Sequence, residues 1–495
     1  MRKLFTLIFL AVIMTYSCQK DKIDNPVKTV PGVPQGRLQI RNHLINVVQT
    51  PGLKTFNASN LGFEFTLIAE VDAPQVNGTK VQATHVAIEG NKAYVSYNMQ
   101  GSQNLGAIDI IDISNPALPE LSKTILFENH DINTIGFFNG LIVVAGQDSE
   151  GAFYGYIDPA DVLNRLEVRR LSSHSAVGMA FSDIKAYIVS ATNGGLTVID
   201  KDDNEEFLPF FDARSVVAGE QVFLLSKEKI KALNGGEIVL DPSFIQSGSK
   251  ADLDLSPQYL FAALNRGGAH VYNASNLSPV HVFPRPVTPF GKDPENFVTN
   301  SVSFNDPLIF LANGGAGISV NKRAKNTQTN IDEFIEFGYF DFGGPLSSNF
   351  VLSRGNFVFV ATGLGGFKIL TFNEKADCNW TQETAFVGLH AGGGAAWWYY
   401  FDTAAGSVHP IYAGKKLVEG AYAKYHNGVM TIVLGPKMVL KNVSEAVKIQ
   451  GYNQGQLPAS RQPAGLFTTY KGNNLVIPLP PFRYYVIHLD VLVCK

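Results

Sequence analysis

Between about residues 63 and 375, apolar residues fall in short runs that recur, with no helical spacing. Each unit holds an apolar run, a turn of two or three polar or glycine residues, and a second apolar run. The copies are THVAIEGNKAYVSY from Thr84, NTIGFFNGLIVVAG from Asn133, VGMAFSDIKAYIVS from Val177 and ARSVVAGEQVFLLS from Ala213. They continue as ADLDLSPQYLFAAL from Ala251, TNSVSFNDPLIFLA from Thr299 and SNFVLSRGNFVFVA from Ser348. The turns, such as Asn139-Gly140 and Asn305-Asp306-Pro307, are built from residues that accept turn dihedrals. In five copies a third apolar run follows a polar or glycine-rich turn, as in GLTVID from Gly195 and GFKILTF from Gly366. The second copy (AFYGYID from Ala152) is irregular there, and the fourth (KIKALN from Lys229) lacks the glycine.

Second strands are spaced by 48, 45, 36, 37, 49 and 49 residues, counted between Tyr94, Ile142, Tyr187, Phe223, Leu260, Ile309 and Val358. A period near 40–50 with three or four strands per unit is that of a β-propeller blade, and seven copies predict seven blades. The runs are apolar on both faces, as in sheets covered on each side by a neighbour. After residue 375 the pattern changes. Short strands, glycine turns and the aromatic run from Trp397 to Phe401 predict a β-sandwich over 376–495. The fold class expected is therefore all-β, a seven-bladed propeller followed by a sandwich.

The amino terminus reads differently. Met1-Arg2-Lys3 is basic, Leu4 to Met14 is apolar except for Thr6, and Ser17-Cys18 precedes the polar stretch Gln19-Lys20-Asp21-Lys22. This is a secretory signal, too short to span a bilayer. The cysteine at its end resembles a lipobox of Bacteroidota lipoproteins, and Gln-Lys-Asp after it resembles the surface-export signal of that phylum. The resemblance implies that residues 1–17 are removed, that Cys18 carries the lipid, and that the protein sits at the outer membrane facing outward. Residues 18–62 are then the lipidated cysteine, a proline-bearing tether through 36, expected to be extended and mobile, and an ambiguous segment expected to pack on the next domain.

The third runs, LTVID from Leu196 and IIDIS from Ile110, resemble the LVIVD repeat of bacterial and archaeal surface proteins. The aromatic run with its flanking cysteines resembles a C-terminal domain of Bacteroidota surface proteins. These resemblances imply fold and location, not an activity. With Cys18 lipidated, Cys378 and Cys494 remain, and in an exported chain a disulfide between them is expected; the alternative is two separate buried thiols. Such a bond closes a loop worth about 4–5 kcal/mol in the chain-entropy account.

A net charge of −3 offers no basic field for nucleic acid. No HExxH, GxSxG or P-loop occurs, so zinc protease, acyl-transfer and nucleotide-hydrolysis signatures are absent, and no cofactor or metal is expected. Propellers gather ligands where the innermost strands begin. By position that ring contains His85, His130, Asp131, His174 and Asp252, which could bind a ligand or serve as acid and base. Polar strand starts also serve turn chemistry alone. Asp252 and Asp254 share one strand face, as an acid pair or as two inward carboxylates satisfied by amides. Trp398 and Tyr400 share a face and form a possible sugar-stacking platform, against a core or interface role. The expected function is a surface binding module for a glycan, a peptide or an outer-membrane protein, with an extracellular hydrolase or lyase as the alternative.

Overall fold

The computed structural model describes residues 21–22, 28–31, 36–49, 62–160, 166–287, 292–344, 346–374, 379–391, 397–435 and 437–494. The signal segment, Cys18 and Cys378 lie outside them.

Seven sheets, each an antiparallel meander of four strands, follow one another among the described residues. Blade 1 is Gln82–Glu89, Lys92–Asn98, Gly106–Asp112 and Glu120–Phe127. Blade 2 is Asp131–Phe138, Leu141–Asp148, Gly151–Ile157 and Glu167–Arg170. The irregular second copy thus forms an ordinary third strand one residue earlier than its sequence suggests. Innermost strands of blades 3 to 7 are Ala176–Phe181, Ala213–Ala218, Asp252–Leu255, Phe297–Asn305 and Phe350–Arg354. The fold is a seven-bladed β-propeller.

Ring closure comes from the amino-terminal side. Blade 7 supplies three strands from residues 350–374, and its fourth is Phe63–Val71, paired antiparallel along Phe367–Glu374. Phe65 of that strand is 1% exposed and packs against Phe310, Phe340 and Phe372 at ring-centroid distances of 5.9–6.0 Å. The strand that precedes blade 1 in the chain therefore completes blade 7 by sheet hydrogen bonds, and an aromatic cluster packs it against blade 6.

Gly268, Gly317 and Gly366 open the third strands of blades 5, 6 and 7 at φ of 77°, 78° and 73°. A Cβ at Gly366 would stand 2.0 Å from the Val71 carbonyl oxygen of the closing strand, and Gly268 and Gly317 meet the Phe283 and Phe340 carbonyls at 2.3 Å. The glycine repeat is thus set by a left-handed turn and by close approach of the fourth strand.

The tether expectation is corrected. Lys28–Pro31 pairs with Glu120–Phe127 as a fifth strand on blade 1, and Asp21–Lys22 pairs with the outer strand of blade 2. Val48–Gln49 does the same on blade 6. An outer blade edge offers unpaired N–H and C=O groups, and an extended segment satisfies them. Leu38–Ile45 lines the outside of Phe63–Val71, so segments before residue 63 extend blades 1, 2, 6 and 7. No described segment covers the outer strands of blades 3, 4 and 5, where Phe207, Val239 and Val282 are exposed.

Arg37 fixes this arm. Its guanidinium pairs with Asp109 of blade 1, which is fully buried and also accepts from the Tyr97 hydroxyl at 2.7 Å and the Thr124 hydroxyl at 2.6 Å.

Residues 379–494 form the second unit, a β-sandwich built on the eleven-residue strand Tyr484–Cys494. One edge of that strand carries Trp380–Val387 and the other carries Met438–Leu440 and Val447–Tyr452. Val418, Ala423, Ile432 and Ile477 face Ile449, Ile487 and Leu489 across its core. The two units are joined: Leu38–Ile45 pairs at His43 with Leu440, Trp380 Nε1 donates to Glu64 at 2.9 Å, and Arg41 donates to Asn474. Cys494 is disulfide-bonded. The expected pairing with Cys378 lies outside the described residues.

Candidate functional site

A cavity of about 840 Å³ occupies the central channel, and the innermost strands of all seven blades line it. A repeated irregularity shapes its lining. In blades 1 to 4 the pairing of the first two strands slips by one residue near the start of the innermost strand. The skipped residues are Thr84, Asn133, Val177 and Arg214, and each lines the cavity. Blade 6 shows a wider slip between Phe297 and Ser301, which places Asn300 there. A bulge inserts one unpaired residue and re-aims its side chain. Each of these five blades therefore turns a residue into the channel that simple strand alternation would not place there.

Hydrogen bonds link these positions around the ring. Thr84 Oγ1 donates to the Ile132 carbonyl at 3.0 Å, and Asn133 Nδ2 donates to Ser175 Oγ and the Ala176 carbonyl at 2.9 Å. Asp252 accepts from Ser215 Oγ at 2.8 Å and Ser301 Oγ at 2.9 Å, tying blade 5 to blades 4 and 6. Asp254 accepts from the backbone N–H groups of Phe304 at 2.6 Å and Leu255 at 2.8 Å. The second alternative for this pair holds: both carboxylates face inward and are satisfied by hydroxyl and amide donors. Burial pushes both upward, Asp254 to about 6.

Of the five ring residues expected from the sequence, His85, His174 and Asp252 reach the cavity. His130 and Asp131 do not. The His130 ring lies edge-on to Phe153 and meets Asp148 through Nε2 at 3.3 Å, with burial lowering its pKa. Asp131 is fully buried and accepts from the backbone N–H groups of Met99 and Leu105 and from Gln147 Nε2. It clamps the 99–105 connection of blade 1 against blade 2. His130 precedes the strand and Asp131 opens it, whereas the innermost strand of blade 2 reaches the cavity only at Asn133 and Thr134. No group of three metal-ligating side chains converges among the described residues.

Lys250 is the channel residue that strand-start reasoning missed. It ends the connection between blades 4 and 5, two residues before Asp252, and its Nζ donates across the mouth to the Thr84 carbonyl of blade 1 at 3.0 Å. The side chain is open to the cavity yet enclosed by protein, and that enclosure lowers its pKa to about 8 against the partial support of Asp252. His85 rests on Phe350 with centroids 4.1 Å apart, its Nδ1 has no partner, and burial with Lys250 nearby lowers it to about 3. Arg214 is 7% exposed; its Nε is unpartnered and its Nη1 donates only to the Ala213 carbonyl. The signal available in sequence was a lysine two residues before the strand that begins at Asp252.

The stacking platform is corrected. Trp398 is 2% exposed and packs with Phe386, Phe467 and Val486 inside the sandwich unit. Tyr400 lies half-buried between Trp398 and Tyr484. Coverage by the 457–467 connection, near Leu457, Ala464 and Phe467, removes the flat exposed face that a sugar needs.

No family model matches the chain, and no curated protein matches it. Among solved structures, the WD40 repeats of RRP9 are similar at TM-score 0.44 and 10% identity, over 61% of this chain and 98% of that one. The Pan2 WD40 domain of Neurospora crassa gives 0.43 and 12%, over 60% and 90%. An inactivated virginiamycin B lyase from Staphylococcus aureus, solved with quinupristin, gives 0.43 and 12%, over 62% and 99%.

Proposed function

We propose that this protein is a surface-displayed binding module, lipid-anchored through Cys18 at the outer membrane, that seats its ligand in the mouth of the propeller channel. The observation that carries the reading is the bulged ring itself. Residues re-aimed into a cavity of about 840 Å³, with titratable groups displaced from their ordinary values, are the marks of a site rather than of a filled core. A glycan, a peptide or an exposed loop of an outer-membrane protein fits such a mouth. The outer edges of blades 3 to 5, which no described segment covers, expose Phe207, Val239 and Val282 and give a partner protein a second place to dock.

The hydrolase or lyase alternative is disfavoured by placement. Acid–base catalysis needs two titratable groups within reach of one substrate atom. His130 and Asp131 are spent inside blade 2 and its neighbouring loop, and Asp252 is spent on two serine hydroxyls.

Cells displaying the native chain, probed with labelled oligosaccharide and peptide panels, test the proposal. Binding is expected for the wild type and should be lost in His174→Trp, which sets an indole in the mouth. It should also be lost in Cys18→Ala, through loss of display. Conversion of a bound oligosaccharide or peptide into products would establish the enzymatic alternative instead.

A further inference from the structure

We infer that the channel mouth is an anion site, selecting ligands that carry a carboxylate. This rests on the channel-binding reading above and names the chemistry of its ligand.

Donors and acceptors are unevenly satisfied in the cavity. The ionisable side chains lining the cavity are His85, His174, Arg214, Lys250, Asp252 and Asp254. The two carboxylates are spent on the walls. Asp252 takes Ser215, Ser301 and the Leu253 N–H, and Asp254 takes the N–H groups of Phe304 and Leu255. The cations are not spent. Lys250 has three donors and uses one, on the Thr84 carbonyl. Arg214 has five donors, of which Nε is buried without a partner and Nη1 reaches only the neighbouring Ala213 carbonyl.

Buried donors are ordinarily hydrogen-bonded, and the remaining N–H groups of Lys250 and of the Arg214 guanidinium are left for a ligand's acceptors. The guanidinium offers a planar fork that matches a carboxylate, and the ammonium adds a point charge from the next blade. The cation positions are fixed by the fold: Arg214 is the bulged residue of blade 4, and Lys250 is held by its bond across to blade 1. A neutral sugar would offer these free donors only weak, uncharged acceptors. An acidic sugar, or the C-terminal carboxylate of a peptide, would satisfy them.

The site should also be pH-dependent. Lys250 faces His85, Asp252 and Asp254, with Arg214 and His174 on the same cavity. It holds its proton below about pH 8, while Asp254 gains a negative charge above about 6. His85, lowered to about 3, stays neutral throughout this range. Anion binding is therefore strongest near pH 6, weakens slightly toward 7, and falls away as pH passes 8.

The test uses citrate as the carboxylate probe and maltotriose as the neutral one, read as the shift in thermal midpoint at constant ionic strength. Citrate at about 1–5 mM is expected to raise the wild-type midpoint by a few degrees, the effect of a ligand that binds only the folded state. The shift should fall by more than half in Lys250→Met and in Arg214→Met, and by a similar factor when the wild type is measured at pH 9.5. Lys250→Gln and Arg214→Gln, measured alongside, replace either methionine variant that melts without a transition. Equal citrate shifts in wild type and variants, or none in any, would overturn the anion site. A maltotriose shift shared by wild type and variants, with citrate silent, would overturn the carboxylate preference while leaving the channel as a binding site.

Discussion

Phe65→Ala is expected to destabilise the propeller by about 3–5 kcal/mol, the range for removing a fully buried phenylalanine. The residue is 1% exposed and its ring touches Phe310, Phe340 and Phe372, so truncation empties the aromatic cluster between blades 6 and 7. The consequence exceeds a local cavity, because Phe63–Val71 is the strand that closes the ring. Weakening it frees the edge of Phe367–Glu374. A thermal melt should show the loss, and amide exchange should rise first in Phe350–Arg354, Phe357–Ala361 and Phe367–Glu374. Exchange that rises equally in all blades would mean that closure is not where the ring opens.

Asp109→Ala is expected to cost a similar amount, about 3–5 kcal/mol, for a different reason. The carboxylate is fully buried and carries Arg37, the Tyr97 hydroxyl and the Thr124 hydroxyl. Removing it strands a cation and two hydroxyl groups inside blade 1, and the unpaired guanidinium dominates the cost. Asp109→Asn keeps the shape and one acceptor oxygen, and should retain part of the stability. The arm beginning at Arg37 should come loose in the alanine variant, read as faster proteolysis between residues 36 and 49. Unchanged proteolysis there would show that Arg37 is not the anchor.

The propeller was legible because its repeat is one of apolar runs and turns, which depend on local residue types. Asn139-Gly140 and the third-strand glycines marked the turns inside each blade directly. Ring closure was less legible, since Phe63–Val71 pairs with residues some 300 positions away and nothing local marks that partner. The amino-terminal arm misled for the same reason. A proline-bearing polar segment reads as a free tether, yet blade edges accept any extended backbone, so Lys28–Pro31 pairs without an apolar signature. In the site, His85, His174 and Asp252 followed from strand starts. His130 and Asp131 did not, because blade 2 reaches the cavity only from Asn133 onward, and where a strand meets the cavity is set by pairing rather than by local sequence. Lys250 was hidden because it belongs to a connection rather than a strand. Trp398 showed that a dense aromatic strand is first a core element: the connection covering it could not be placed from sequence.

The central claim is that the channel holds a ligand-binding cation at Lys250. It is tested most directly by ¹³C-dimethylating the lysines and following the Lys250 resonance, assigned by its loss in Lys250→Gln, through a pH titration with and without citrate. The account predicts a midpoint near 8 that moves upward when citrate is present, because an anion favours the protonated amine. A midpoint near the ordinary lysine value of about 10.4, unmoved by citrate, would contradict it.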